Sequence, residues 1–144
     1  MAWYEDLTPC GYFGEEAAGV LRSVGWLEAG RPFLCGPTPK DIFDKLCDLA
    51  REPWAPVAFA GPHFCDLCQY GGWSGTANVF IPGNRFLYVC PAMVTHYMDA
   101  HHYRPPDEFA MAVRQCPAMR SREYLQAILR NGGRQLKTLW VSRT

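Results

Sequence analysis

The chain has 144 residues and no net formal charge; hydrophobic residues make up 49% and charged residues 19%, which suits one globular domain with a real core, not a disordered polymer. No run of about 18 apolar residues occurs, so no transmembrane helix is expected. The opening "MAWYEDLTPCGYF" has acids where a secretion signal needs a basic start, so a cytoplasmic protein is expected.

In chain order, residues 1–37 carry too many glycines and prolines for long regular elements. They read as an irregular aromatic-rich segment anchored by Trp3, Tyr4, Tyr12, Phe13, Trp26 and Phe33, forming a satellite core. A helix follows, with Thr38 as N-cap, Pro39 at the first position and Ile42, Phe43, Leu46 and Leu49 as its apolar stripe, bounded by Pro53. "PVAFA" reads as a short strand, and "TANVFIPGNRFLYVCP" as a hairpin pairing Thr76–Ile81 with Arg85–Cys90 around "PGN".

Pro91 is then read as the start of a helix over "AMVTHYMDAHH". The next helix begins at "RPPDEFAMAVRQC", and another runs through "SREYLQAILRNGG" with Ser121 as cap and Gly132 as stop. The tail "RQLKTLWVS" reads as a last strand. Strands and helices do not alternate regularly, which predicts an α+β fold rather than a βαβ series.

The charge is unevenly placed. Residues 1–113 hold 7 Lys/Arg against 13 Asp/Glu (7 − 13 = −6), and residues 114–144 hold 7 against 1 (7 − 1 = +6). A basic C-terminal segment lying on an acidic body explains this, and so does a nucleic-acid face built from Arg114, Arg120, Arg122, Arg130, Arg134 and Lys137.

Seven cysteines, an odd number, argue against a disulfide framework, and most of those outside Cys65 and Cys68 read as small buried apolar residues. Cys65 and Cys68 form a C-x-x-C pair before the hairpin, and His96 and His101 lie on the helix after it. Zinc takes four tetrahedral nitrogen or sulfur ligands, and two short-spaced pairs on separate elements supply them. A spacing of five residues covers about 1.4 helical turns, so the second histidine needs a distorted helix end. His102 competes as the fourth ligand, and His63 stands just before the knuckle.

A redox role for the pair is weaker, because "QYGGWSG" follows it, whereas a thioredoxin-type pair needs a helix N-terminus. Two thiolates and two imidazoles fill the zinc shell, so the site is read as structural. A zinc hydrolase, with Asp99 or Glu108 as base, requires one histidine to stay off the metal. No H-E-x-x-H, G-x-S-x-G, P-loop or dinucleotide fingerprint occurs.

"YEDLTP", "VGWLEAGRPF", "FCDLC" and the block from Pro91 to Phe109 containing "HY" and "YRPP" resemble a family of small uncharacterised bacterial proteins of unknown function. The resemblance covers roughly residues 3–113 and is most specific in the last block. It implies Cys65, Cys68, His96 and His101 as ligands. His102 stands where the family pattern suggests glycine, which favours His101, and residues 114–144 look like an extension. The resemblance brings no activity with it.

The expected protein is one α+β domain over 1–144 with a zinc knuckle, a β-hairpin, a ligand-bearing helix and about three further helices. Its expected role is non-enzymatic binding of another protein, of which an immunity or antitoxin-like partner of a bacterial toxin is one version. Nucleic-acid binding and a small zinc-dependent hydrolase are the alternatives.

Overall fold

The structure is a computed structural model and describes residues 2–54, 63–68, 74–75 and 77–136. A short 3-10 turn, Gly11–Phe13, leads into α1 (Glu15–Ala18), β1 (Leu21–Ser23) and α2 (Lys40–Arg51). Two short strands, β2 (His63–Phe64) and β3 (Ser74–Gly75), precede the hairpin of β4 (Asn78–Pro82) and β5 (Leu87–Pro91). Helices α3 (Val94–His101), α4 (Asp107–Gln115) and α5 (Arg122–Ile128) follow, the last running into a wide turn over Leu129–Gly133. Helices and a small mixed sheet without regular βαβ alternation make this an α+β fold.

The central sheet has the order β1-β5-β4. β5 pairs in parallel with β1 (Leu21 opposite Leu87) and antiparallel with β4 (Val79 opposite Cys90). As the middle strand it is buried along its whole length, which accounts for its continuous apolar run "LYVCP". α2 packs against α3 and α4, and α5 packs on β4. β2 and β3 form a separate antiparallel pair.

The N-terminal segment is irregular for most of its length, but it contains β1, which holds an edge of the central sheet. Its aromatic residues do not form a satellite. Trp26 is fully buried, its indole N–H donates to the Val89 carbonyl at 3.0 Å, and Phe13 stacks near Phe80 with ring centroids 5.6 Å apart. Phe13 and Trp26 belong to the same buried cluster as the sheet, and Tyr4, Tyr12 and Phe33 pack against it. Gly25 is required at its position: it has a φ of +74°, and a Cβ there would stand 2.7 Å from Val94 Cγ2.

Several expected boundaries move. α2 begins at Lys40 with Pro39 at the cap position, and no side chain caps it. The Thr38 hydroxyl therefore does not serve as N-cap. Pro39 combines φ −52° with ψ 137°, so it stands just outside the helix, and its carbonyl accepts the Ile42 and Phe43 amides at 3.1 Å. β4 spans Asn78–Pro82, with Thr76 outside the described residues, and Pro91 ends β5 opposite Asn78 instead of opening α3. Residues 134–136 are helical, so the start of the supposed last strand is not a strand. The rest of that tail and "PVAFA" lie outside the described residues.

α5 is capped as its sequence predicts: the Ser121 hydroxyl accepts the Tyr124 amide at 3.1 Å. Tyr124, Ala127 and Ile128 are buried, and the Tyr124 hydroxyl donates to the Phe80 carbonyl at 2.6 Å. Leu125, the next residue along, is exposed. No helix among the described residues is long and apolar enough to cross a membrane.

Candidate metal centre

β2 delivers the chain into a turn, Asp66–Leu67, flanked by Cys65 and Cys68. The turn is tied down from outside: Asp66 Oδ2 accepts the Ala29 amide at 2.9 Å. The backbone amides of Leu67 and Cys68 point at the Cys65 sulfur and favour its thiolate, although burial is the larger effect and pushes that thiol up. Metal binding to Cys65 must displace a firmly held proton.

α3 supplies the other half. Tyr97, fully buried beside His96, anchors the helix to the core. Its carbonyl closes the helix end by accepting both the His102 amide and the Tyr103 amide, the latter at 3.1 Å. His101 is the last helical residue and His102 turns left-handed, with φ 58° and ψ 23°. The expected distortion of the helix end is not needed: His96 and His101 both lie within α3, and their imidazoles reach the two sulfurs from directions about 140° apart around the helix. The Tyr103 hydroxyl donates to Asp6 Oδ2 at 2.7 Å, while Asp6 Oδ1 accepts the Gly25 amide at 3.0 Å. Burial raises the Asp6 carboxyl above its ordinary value despite those two bonds. Thus "YEDL", "VGW" and "YRPP" meet at one half-buried bond pair next to where α3 stops.

The four side chains converge. His101 Nε2 lies 3.3 Å from Cys65 Sγ and 3.4 Å from Cys68 Sγ, and His96 Nε2 lies 3.3 Å from Cys68 Sγ. All four donor atoms fall within 4.8 Å of one another. Around a tetrahedral zinc with its usual bond lengths, sulfur and nitrogen ligands stand about 3.5 Å apart. The group is thus positioned to hold a metal ion, and its donor set is one that zinc takes. Cys65 is buried and the other three are half-buried. Burial, then the neighbouring His96 and His102, hold the His101 imidazole below its ordinary value, which keeps it neutral and ready to ligate.

The remaining sequence-predicted residues are placed elsewhere. Exposed His102 and Asp99 line a cavity of about 640 Å³ with Cys35, away from the Cys65 pair. Glu108 faces the Tyr88 hydroxyl, which burial and that carboxylate push up to about 12. The His63 side chain is outside the described residues. Among the cysteines, Cys10, Cys90 and Cys116 are buried as expected, Cys47 is half-buried and Cys35 is exposed.

The basic residues divide. Arg114 pairs with Asp41 of α2 (Nε to Oδ2 3.1 Å, Nη2 to Oδ1 3.3 Å). Arg120 donates to the Glu52 and Pro53 carbonyls at 3.2 Å. Arg122, Arg130 and Arg134 are exposed, and Lys137 lies outside the described residues.

Fold and site together define a small α+β protein with a Cys2His2 group positioned to hold a metal ion. The chain belongs to the DUF7919 family, a domain of unknown function that matches residues 2–114. No curated protein and no solved structure matches it. α5 lies beyond the family match, yet it packs into the same core.

Proposed function

We propose that the Cys65, Cys68, His96 and His101 group holds a structural zinc ion, and that the protein is a binding module for another protein, without catalysis of its own. The observation that carries the zinc reading is the convergence of two sulfurs and two Nε2 atoms at 3.3–3.4 Å. Two thiolates and two imidazoles complete a tetrahedral shell and leave no position for a reactive water. Neither Asp99 nor Glu108 stands among the converging donors. The ion would pin β2 and the knuckle to the end of α3, joining segments 28 residues apart between Cys68 and His96.

The binding role is supported by the surface that such a pin would stiffen. Phe64 leads directly into Cys65 and is 57% exposed. An aromatic ring held on a rigid knuckle loses little freedom when a partner covers it, which suits it to anchor an interface.

The test has two arms. Protein purified without chelator should carry one zinc per chain by elemental analysis, and Cys65→Ser should lose metal and thermal stability together. If metal-free and metal-loaded protein melt at the same temperature, the structural role is wrong. A photo-crosslinking residue at position 64 should then trap a protein in the native cells, and the trapped band should vanish in Cys68→Ser. Recovery of nucleic acid instead would favour the exposed arginines as the working surface.

A further inference from the structure

The Cys2His2 group joins two parts of the fold that differ in what else holds them. His96 and His101 stand on α3, whose end is closed by the His102 and Tyr103 amides on the Tyr97 carbonyl, with the Tyr103 hydroxyl bonded to Asp6 beside it. None of those bonds involves a donor atom of the site. The cysteine half is held by less. β2 pairs with β3 over two residues each, and the turn between the cysteines is tied to the chain before it by an exposed bond from the Ala29 amide to Asp66 Oδ2.

The two sulfurs also differ in access: Cys65 is buried and Cys68 is half-buried. Both lie beside one nitrogen, His101 Nε2, at 3.3 and 3.4 Å, and within 4.8 Å of each other. Two sulfurs on one tetrahedral zinc stand about 3.8 Å apart. A disulfide holds them about 2.0 Å apart and leaves no thiolate to ligate. Metal and disulfide therefore exclude each other at this pair.

We propose that the Cys65–Cys68 pair is a peroxide-sensitive switch, an inference that rests on the zinc reading: oxidation joins the two sulfurs, expels the ion and frees the knuckle from α3. Hydrogen peroxide is the oxidant. The more accessible Cys68 thiolate attacks one peroxide oxygen, the O–O bond breaks, hydroxide leaves, and Cys68 becomes a sulfenic acid. The Cys65 thiolate then attacks the Cys68 sulfur; the S–S bond forms, the S–O bond breaks and a second hydroxide leaves. Two thiolates have given up two electrons, one peroxide has become two hydroxides, and the zinc departs with its charge unchanged. Two neutral imidazoles remain, half of the shell that zinc needs. The freed knuckle carries Phe64, so oxidation loosens the surface offered to a protein partner.

The experiment uses the full-length protein, with its zinc counted before treatment. Hydrogen peroxide is added, freed zinc is read with a chromogenic chelator, and peptide mapping locates the oxidised sulfurs. Zinc should leave in step with a Cys65–Cys68 disulfide, and dithiothreitol with added zinc should restore the starting state. Amide exchange should quicken about tenfold or more over residues 63–68 and stay unchanged in β5. Cys35 is exposed and is the competing target, so Cys35→Ser should release zinc at the parent's rate. Zinc retained under peroxide would overturn the proposal. So would zinc lost with Cys68 carried on to sulfinic acid or joined to Cys35, or unchanged exchange over 63–68 after the zinc has gone. A chain that holds no zinc before treatment is a separate result: it removes the zinc reading, and this switch with it.

Discussion

His102→Gly should make the protein more stable. His102 sits at the C-terminal end of α3 with φ 58° and ψ 23°, a conformation in which an L side chain crowds its own backbone. The side chain is exposed, so its removal forfeits little burial. The bonds that close the helix are made by backbone groups and survive the change: the His102 and Tyr103 amides on the Tyr97 carbonyl, and the Gly36 amide on the His102 carbonyl. What remains is relief of the left-handed strain, worth about 1 kcal/mol. For a chain of this size that amounts to about 2–4 °C in melting temperature. Thermal unfolding followed by circular dichroism measures it, with metal content checked in parallel and expected to match the parent. His102→Ala is the control, since it removes the imidazole but keeps the strain. If the alanine variant gains as much as the glycine variant, the imidazole and not the backbone is responsible. If the glycine variant melts lower, the reasoning about the helix end is wrong.

Tyr124→Phe removes a buried hydroxyl that donates to the Phe80 carbonyl at 2.6 Å; chemical denaturation should show a loss of about 1 kcal/mol, and an unchanged midpoint would mean the bond contributes nothing. Metal affinity should rise with pH, because burial raises the Cys65 thiol and that proton must leave before the sulfur can ligate. Competition against a chromogenic chelator across neutral pH should show about a tenfold gain per pH unit from this one proton while the thiol is mostly protonated, and a flat profile would refute it. Deleting residues 121–144 removes Tyr124, Ala127, Ile128 and Leu136 from the core, a loss of about 4–8 kcal/mol against a total stability of about 5–15 kcal/mol. Size-exclusion chromatography should find the truncated protein aggregated, and a monomer with unchanged melting would show that the segment is an appendage.

The helices were legible where their signals are local. Pro106 followed by Asp107 and Glu108 announces α4, and Ser121 announces α5, because a cap and a first turn involve residues a few positions apart. The Cys65, Cys68, His96 and His101 group was legible because two pairs of soft and borderline ligands at short spacing have few other uses. β1 was not legible. "LRS" carries no periodicity, and its strand exists only through parallel pairing with β5, whose residues lie far along the chain. The same distance hides the aromatic core: Trp26 is defined by Val89, and Tyr103 by Asp6. Thr38 misled for another reason. A threonine before a proline looks like a cap, but Pro39 takes the cap position itself and leaves the hydroxyl idle. Cys35 is exposed because it lies on an irregular stretch whose backbone is tied to His102, Tyr103 and Arg104.

The division of charge along the chain bears on what the C-terminal segment can do. Its excess of positive charge is not all available to a partner. Arg114 pairs with Asp41, and Arg120 binds two carbonyls beyond the end of α2. Both contacts join the basic segment to α2, an element that also carries Asp44 and Asp48. Exposed pairs of this kind contribute only about 0–1 kcal/mol each, so they do not hold α5 in place; Tyr124 and Ile128 do that. What the pairs do is give the segment a fixed bearing on an acidic helix. Arg122, Arg130 and Arg134 remain on the surface. Arg130 and Arg134 flank a shallow depression with Gln126 and Leu129. The apolar half of α5 thus builds the core, while Arg114 on α4 and Arg120 just before α5 tie the basic segment to α2 and the residues that follow it.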